Sequence, residues 1–130
     1  MKQPHIIRLR GPWQRQLIEG PDLPVKTITM PNSWAEDLGA DFVGAVEYQR
    51  FFNCPTGIDE ATSIQLAFTE IKGQATIWLN SEQLPTTDIA PVVSCDVTGQ
   101  LKRRNELRVQ IVAIGEPDGG MVGEVQLKIG

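Results

Sequence analysis

The stretch that most limits what this chain can become is QATIWLN at residues 74–80, where Ala75, Ile77 and Leu79 alternate with Thr76, Trp78 and Asn80. Strand side chains project to opposite faces with a period of two, so this pattern sets an aliphatic row on one face and an indole beside a carboxamide on the other. The same alternation recurs in Ile7 and Leu9, in Trp13, Arg15 and Leu17, in Val46, Tyr48 and Phe52, and in Ile64, Leu66 and Phe68. It returns in Leu107, Val109, Ile111 and Ala113 and again in Val125, Leu127 and Ile129, while residues 25–30 and 92–97 are further β-rich runs. Glycine and proline punctuate the runs at Gly11-Pro12, Gly20-Pro21, Pro31, Pro55-Thr56-Gly57, Thr98-Gly99 and the loop at 115–120. About nine short strands separated by turns describe an antiparallel β-sandwich.

Only one segment departs from that period. In NSWAEDLG, residues 32–39, Ser33 followed by Glu36 forms a capping box and Gly39 suits the left-handed residue that ends a helix, so one short helical turn is expected there. No amphipathic run of ten residues or more is present to act as a crossover helix, which excludes parallel α/β folds. Residues 63–68 and 74–80, joined by Lys72-Gly73, are expected to be neighbours in a hairpin or a closely related arrangement, and residues 81–91 a polar connection. Arg50, lying in the apolar row of its strand, is expected to pair with an acid or to carry its head out to water.

The 130 residues make one domain, large enough to bury about two thirds of the surface of the unfolded chain without a staple. A net charge of −4 argues against nucleic acid, and the cluster Lys102-Arg103-Arg104 reads as a solvated turn. The N-terminal residues hold no apolar run suited to a signal peptide, and no window has the length of a membrane span, so a cytoplasmic chain is expected. Cys54 and Cys95 have no metal-like spacing and are expected as two buried thiols. One histidine, His5, gives no basis for a transition-metal site, no calcium-ligand spacing appears, and no cofactor is expected.

Taken in order, the segments resemble the N-terminal sugar-binding domain of the β-galactosidase and β-glucuronidase family of glycoside hydrolases. LRGPW resembles that family's Leu-x-Gly-x-Trp, ITMPNSW its Val-x-Val-Pro-x-x-Trp, and GAVEYQRFFNCP its Gly-x-x-x-Tyr-x-Arg-x-Phe-x-x-Pro. ATIWLNS resembles Ala-x-Val-Trp-Leu-Asn-Gly, CDVTGQLKRRNELRVQI the family's Phe-Asp-Ile-Thr segment and the strand after it, and GGMVGEVQL its Gly-Gly-Ile-x-x-x-Val-x-Leu. The resemblance implies a jelly-roll of the galactose-binding-like type spanning residues 1–130. It also implies that hydrolytic carboxylates belong to a separate barrel domain, so the chain is expected not to be an enzyme. Ser81 stands where the family has glycine, Leu84-Pro85-Thr86-Thr87 replaces a glycine-rich loop, and Arg104 replaces another glycine.

The candidate ligand-binding residues are Asp88, Asn80, Trp78, Trp34 and Gln83. An indole can stack on the C–H face of a sugar while Asn80 or Gln83 orients its hydroxyls. The resemblance implies that Asp88, eight residues before Asp96, is an acid that reaches sugar hydroxyls. Against these stand plainer readings: tryptophans packed under a loop or between sheets, Asn80 holding the turn that follows it, and Asp88 a solvated loop residue. Two functions follow. One is a non-catalytic carbohydrate-binding module; the other is an accessory sandwich that has lost the sugar site and uses its face on a partner protein or as a homodimer.

Overall fold

The computed structural model describes residues 5–59, 62–85, 92–113 and 119–130. Its strands are β1 (His5–Arg8), β2 (Trp13–Glu19), β3 (Lys26–Ile28) and β4 (Asn32–Ser33), followed by the helical turn α1 (Trp34–Asp37). Then come β5 (Ala45–Asn53), β6 (Ile64–Phe68), β7 (Ile71–Lys72), β8 (Gln74–Leu79), β9 (Glu82–Gln83), β10 (Val93–Asp96), β11 (Arg104–Val112), β12 (Gly120–Met121) and β13 (Val125–Ile129). All pairings are antiparallel. A four-stranded sheet, β1-β13-β6-β10, faces a six-stranded one, β3-β2-β5-β11-β8-β9, and a small sheet β4-β12-β7 closes one side. The fold is therefore the antiparallel β-sandwich that the alternation predicts, with one helical turn.

The core lies between the sheets. Ile64, Leu66 and Phe68 from β6 with Leu127 from β13 meet Tyr48 from β5, Ile77 and Leu79 from β8, and Leu107, Val109 and Ile111 from β11. Each comes from the apolar row of its strand, which is why the alternation places them so directly. Residues of this size stabilise the fold by about 1.5–3 kcal/mol each when fully buried. Cys95 is buried and Cys54 partly so, and they form no disulfide.

The α1 turn forms as its cap residues require. Ser33 is extended, with φ −98° and ψ 142°, and its hydroxyl accepts from the Glu36 N–H at 3.2 Å. Gly39, with φ +105°, ends the turn. Two sequence expectations fail. β6 and β8 are not neighbours in any arrangement, being in different sheets: β6 pairs with β13 and β10, whereas β8 pairs with β11 and β9. Between them the chain crosses from one sheet to the other through β7 and Gly73, whose φ of +108° and close approach to Val112 admit no side chain cheaply. Residues 81–85 are not merely a connection either, because β9 returns along β8 as a hairpin and Leu84 is buried. Arg50 has no acid partner among the described residues; its Nη1 donates to the Pro12 carbonyl at 3.2 Å.

Candidate functional site

The outer face of the six-stranded sheet gathers the polar halves of six alternating strands. Cross-strand registers link Thr27 to Gln14, Gln14 to Gln49, Gln49 to Arg108, Arg108 to Trp78 and Trp78 to Gln83, in an unbroken row over every strand of the sheet. Six strands at the usual spacing make that row about 24 Å long. Beside it run Gln16, Glu47, Gln110 and Thr76, again in register. Most of these groups are planar, carry both polar atoms and a flat apolar surface, and are already partly ordered. Gln14 donates to Thr27 at 3.1 Å, Gln49 to Glu106 at 2.9 Å and Gln110 to Glu47 at 3.0 Å.

Trp78 is half-buried in this row, with the Arg108 guanidinium 5.2 Å from its ring centroid. Arg108 in turn lies 3.6 Å from Glu47 and 3.8 Å from Glu106. A cation stacked on an indole and tethered by two acids restricts the ring's motion and places N–H donors beside it. Gln83, directly opposite Trp78 on β9, is exposed. These two predicted residues are thus brought together.

Asn80 has the structural role instead. With Ser81 it makes the two-residue turn between β8 and β9, both at positive φ, 52° and 70°, as a type I′ hairpin turn demands. Its Oδ1 accepts from the Glu106 N–H at 2.9 Å and its Nδ2 donates to Asn105 Oδ1 at 3.0 Å. Asn105 is fully buried, accepts from the Lys102 N–H at 2.8 Å and donates to the Lys102 carbonyl at 2.9 Å. The carboxamide predicted for a ligand is thereby engaged in clamping the hairpin to β11.

For Trp34 the packed reading holds and the ligand-facing one does not. It has no exposed surface, stacks edge-on against Phe42 with centroids 5.1 Å apart, and is covered by the backbone of Gly119 so closely that a Cβ there would lie 2.5 Å from the ring. It presents no face to a ligand, and the paired platform of Trp34 and Trp78 is not formed. The cause is the helical turn, whose first residue is turned inward by the Ser33 cap under β12. Asp88 lies outside the described residues.

A second polar cluster was not legible in the chain. Arg15, expected only to share a face with Trp13 and Leu17, is buried and forms two bonds to Asp37, Nε–Oδ2 at 2.8 Å and Nη2–Oδ1 at 2.9 Å. Lys26 and Asn32 each approach the same carboxylate at 3.3 Å, and the Tyr48 hydroxyl donates to Asn32 Oδ1 at 2.8 Å. Burial pushes the Asp37 carboxyl up, but hydrogen bonds from and the charge of Arg15, with Asn32 and Lys26, outweigh it and hold the group below the usual carboxylate range. Burial pushes the Tyr48 phenol well above its ordinary value, so it stays a neutral donor. Asp37, Lys26 and Asn32 also line a groove of about 610 Å³ beside β3. The polar groups on its wall mostly bond to one another, which marks the cluster as a structural brace.

No family model matches the sequence, and no curated protein matches it either. Solved structures do. An FMN-binding β-glucuronidase from Faecalibacterium prausnitzii L2-6 superposes with a TM-score of 0.82 and 19% identity over 97% of this chain and 22% of its own. A β-D-glucuronidase of Dictyoglomus thermophilum gives 0.81 and 12% over 99% of this chain and 28% of its own. A candidate β-galactosidase from Bacteroides fragilis gives 0.79 and 19% over 98% of this chain and 23% of its own. At such identities the likeness concerns fold alone, and the chain spans roughly a quarter of the length of these structures. No helix among the described residues is long and apolar enough to cross a membrane. What the geometry and the comparisons establish together is a β-sandwich of the kind that larger glycosidases carry as one part of their chains.

Proposed function

We propose that this chain is a non-catalytic carbohydrate-binding domain that holds an extended glycan across the outer face of its six-stranded sheet. The observation that carries the reading is the continuous row from Thr27 to Gln83, in which amides and a guanidinium flank one indole. Glycans offer alternating hydroxyls and flat C–H patches, and planar amides beside an aromatic ring complement both. Trp78 supplies the stacking surface, Gln83, Gln49 and Gln14 the hydroxyl partners, and Asn80 acts by fixing the hairpin on which Trp78 and Gln83 stand. Asp88, five residues beyond Gln83 in the chain, adds a carboxylate acceptor for sugar hydroxyls. The fold shared with parts of glycosidases supports the reading.

Titration of the protein with neutral and acidic oligosaccharides, followed by tryptophan fluorescence, tests it. Saturable quenching is expected, weakened more than tenfold by Trp78→Ala and less by Gln83→Ala or Asp88→Ala, with no hydrolysis of aryl glycosides. Silence across the panel would refute it. A second reading, docking on a partner protein or on another copy, is favoured by one observation: Ile18, Leu23, Val25 and Val43 are each 43–55% exposed. Concentration-dependent dimerisation lost in Val43→Asp, with no glycan response, would favour that alternative.

A further inference from the structure

We propose that the corner of this sheet where β11 begins recognises carboxylate groups, so that the glycan held across the face is an acidic one. The inference rests on the sheet-face reading above and specifies the chemistry of its ligand.

The chain is acidic overall, yet Lys102, Arg103 and Arg104 stand consecutively at this corner, all exposed and without an ion pair among the described residues. Arg104 is the member that lies against an aromatic ring. Its guanidinium lies 5.0 Å from the centroid of the Phe51 ring, and Phe51, on the outer face of β5, is 48% exposed. The exposed ring gives that cation a flat surface to lie against. Stacking fixes the plane of the guanidinium and leaves its edge free, and that edge carries the parallel N–H fork that fits a carboxylate.

Arg104 and Arg108 project from the same face of β11, four residues and therefore about 13 Å apart, each paired with an aromatic ring. The acids that share the face are engaged. Glu106, between the two arginines, accepts from Gln49 at 2.9 Å, and Glu47 accepts from Gln110 at 3.0 Å and lies 3.6 Å from Arg108. Arg108 is thus neutralised and Arg104 is not, which leaves the positive field at the Lys102–Arg104 end of β11, to one side of the row through Arg108. An acidic oligosaccharide can seat a carboxylate on Arg104 beside Phe51 and lay its next rings toward Trp78. A nucleic acid fits less well, because three cations in one corner of a chain of charge −4 do not make the continuous basic track that a phosphate backbone needs.

The test compares three probes on the intact chain: an oligomer of a uronic acid, the same oligomer with its carboxyls methyl-esterified, and a short single-stranded oligonucleotide. The acid is expected to bind at least tenfold tighter than the ester, to weaken with added salt, and to lose tenfold or more in Arg104→Ala, whose thermal midpoint stays that of the wild type. Arg104→Lys, which keeps the charge and loses the fork, is expected to recover only part of the loss. Equal binding of acid and ester overturns the carboxylate proposal and leaves the sheet-face reading standing. Binding of none of the probes, nor of any neutral glycan, overturns both. Acid binding that survives Arg104→Ala and Arg103→Ala, or an oligonucleotide that binds as tightly, also overturns it.

Discussion

Residue by residue, the least ordinary element of this molecule is the buried pair of Arg15 and Asp37. Both side chains are 4% exposed or less, and the bidentate contact with help from Asn32 and Lys26 offsets the desolvation of two charges. Removing one partner strands the other, so Asp37→Ala is expected to lower stability by about 3–5 kcal/mol in urea denaturation. The pair also makes stability depend on pH. Because the folded protein holds Asp37 below its unfolded value of about 3.9, that stabilisation is whole above the unfolded value and is lost as pH falls through the folded one. Thermal midpoints should therefore drop for the wild type below about pH 4, and Asp37→Asn should start lower and fall less over that window. Glu124 and Asp96 are shifted the same way, by Gln126 with the arginines Arg8 and Arg10 and by Thr98, so the variant's curve is flatter and not level. Ser81 is the opposite case, a residue at odds with its backbone. At φ +70° in a type I′ turn its Cβ is strained, and Ser81→Gly should raise the unfolding free energy by about 0.5–1 kcal/mol, read as a higher denaturation midpoint at unchanged m-value.

Among the elements, the β8–β9 hairpin ties recognition to stability. It presents Trp78 opposite Gln83, and the clamp from Asn80 to Asn105 and Glu106 sets where both stand on β11. Asn80→Ala breaks two side-chain bonds and leaves a buried amide short of a partner, at a cost of about 1–3 kcal/mol. That loss should appear in denaturation without any glycan present. A residue acting only on ligand would leave the midpoint unmoved, so the measurement separates the two roles of Asn80. The small sheet β4-β12-β7 has a comparable duty: Gly119 and Gly120 bring the backbone down onto Trp34 and keep the α1 turn pressed to the sandwich.

For the whole molecule, the two sheets share a single core, so access to its centre requires global opening. Cys95, on β10 beside Leu66 of β6 and fully buried in the core, should resist a thiol reagent until the domain unfolds, whereas the partly exposed Cys54 should react in the native state. A two-phase labelling curve, with the slow phase accelerating in urea in step with unfolding, is the expected result; two fast thiols would show that the core opens locally. Charge is likewise distributed at this scale, with a basic corner on one sheet face of a chain whose net charge is −4. That asymmetry is the physical ground for the salt dependence expected of acidic ligands.

Alternation and β-rich composition determined the sandwich and its strands of three residues or more, and in the alternating ones the inward row as well, because a period of two leaves no choice about which side chains meet. Local chemistry determined the α1 turn as well, since Ser33 and Gly39 act on backbone within a few residues of themselves. Partners distant in sequence were decided only by the tertiary structure. Arg15 reaches Asp37 across 22 positions and Asn80 reaches Asn105 across 25, and nothing in either neighbourhood announces the other. Which strands lie side by side is a property of the sheet crossover through Gly73, so the row of amides and arginine around Trp78 came into view only once β2, β5, β11, β8 and β9 were in register. Trp34 shows the same limit from the other side: its pattern fitted an exposed indole or a packed one, and the volume enclosed by β12 and Phe42 decided for packing.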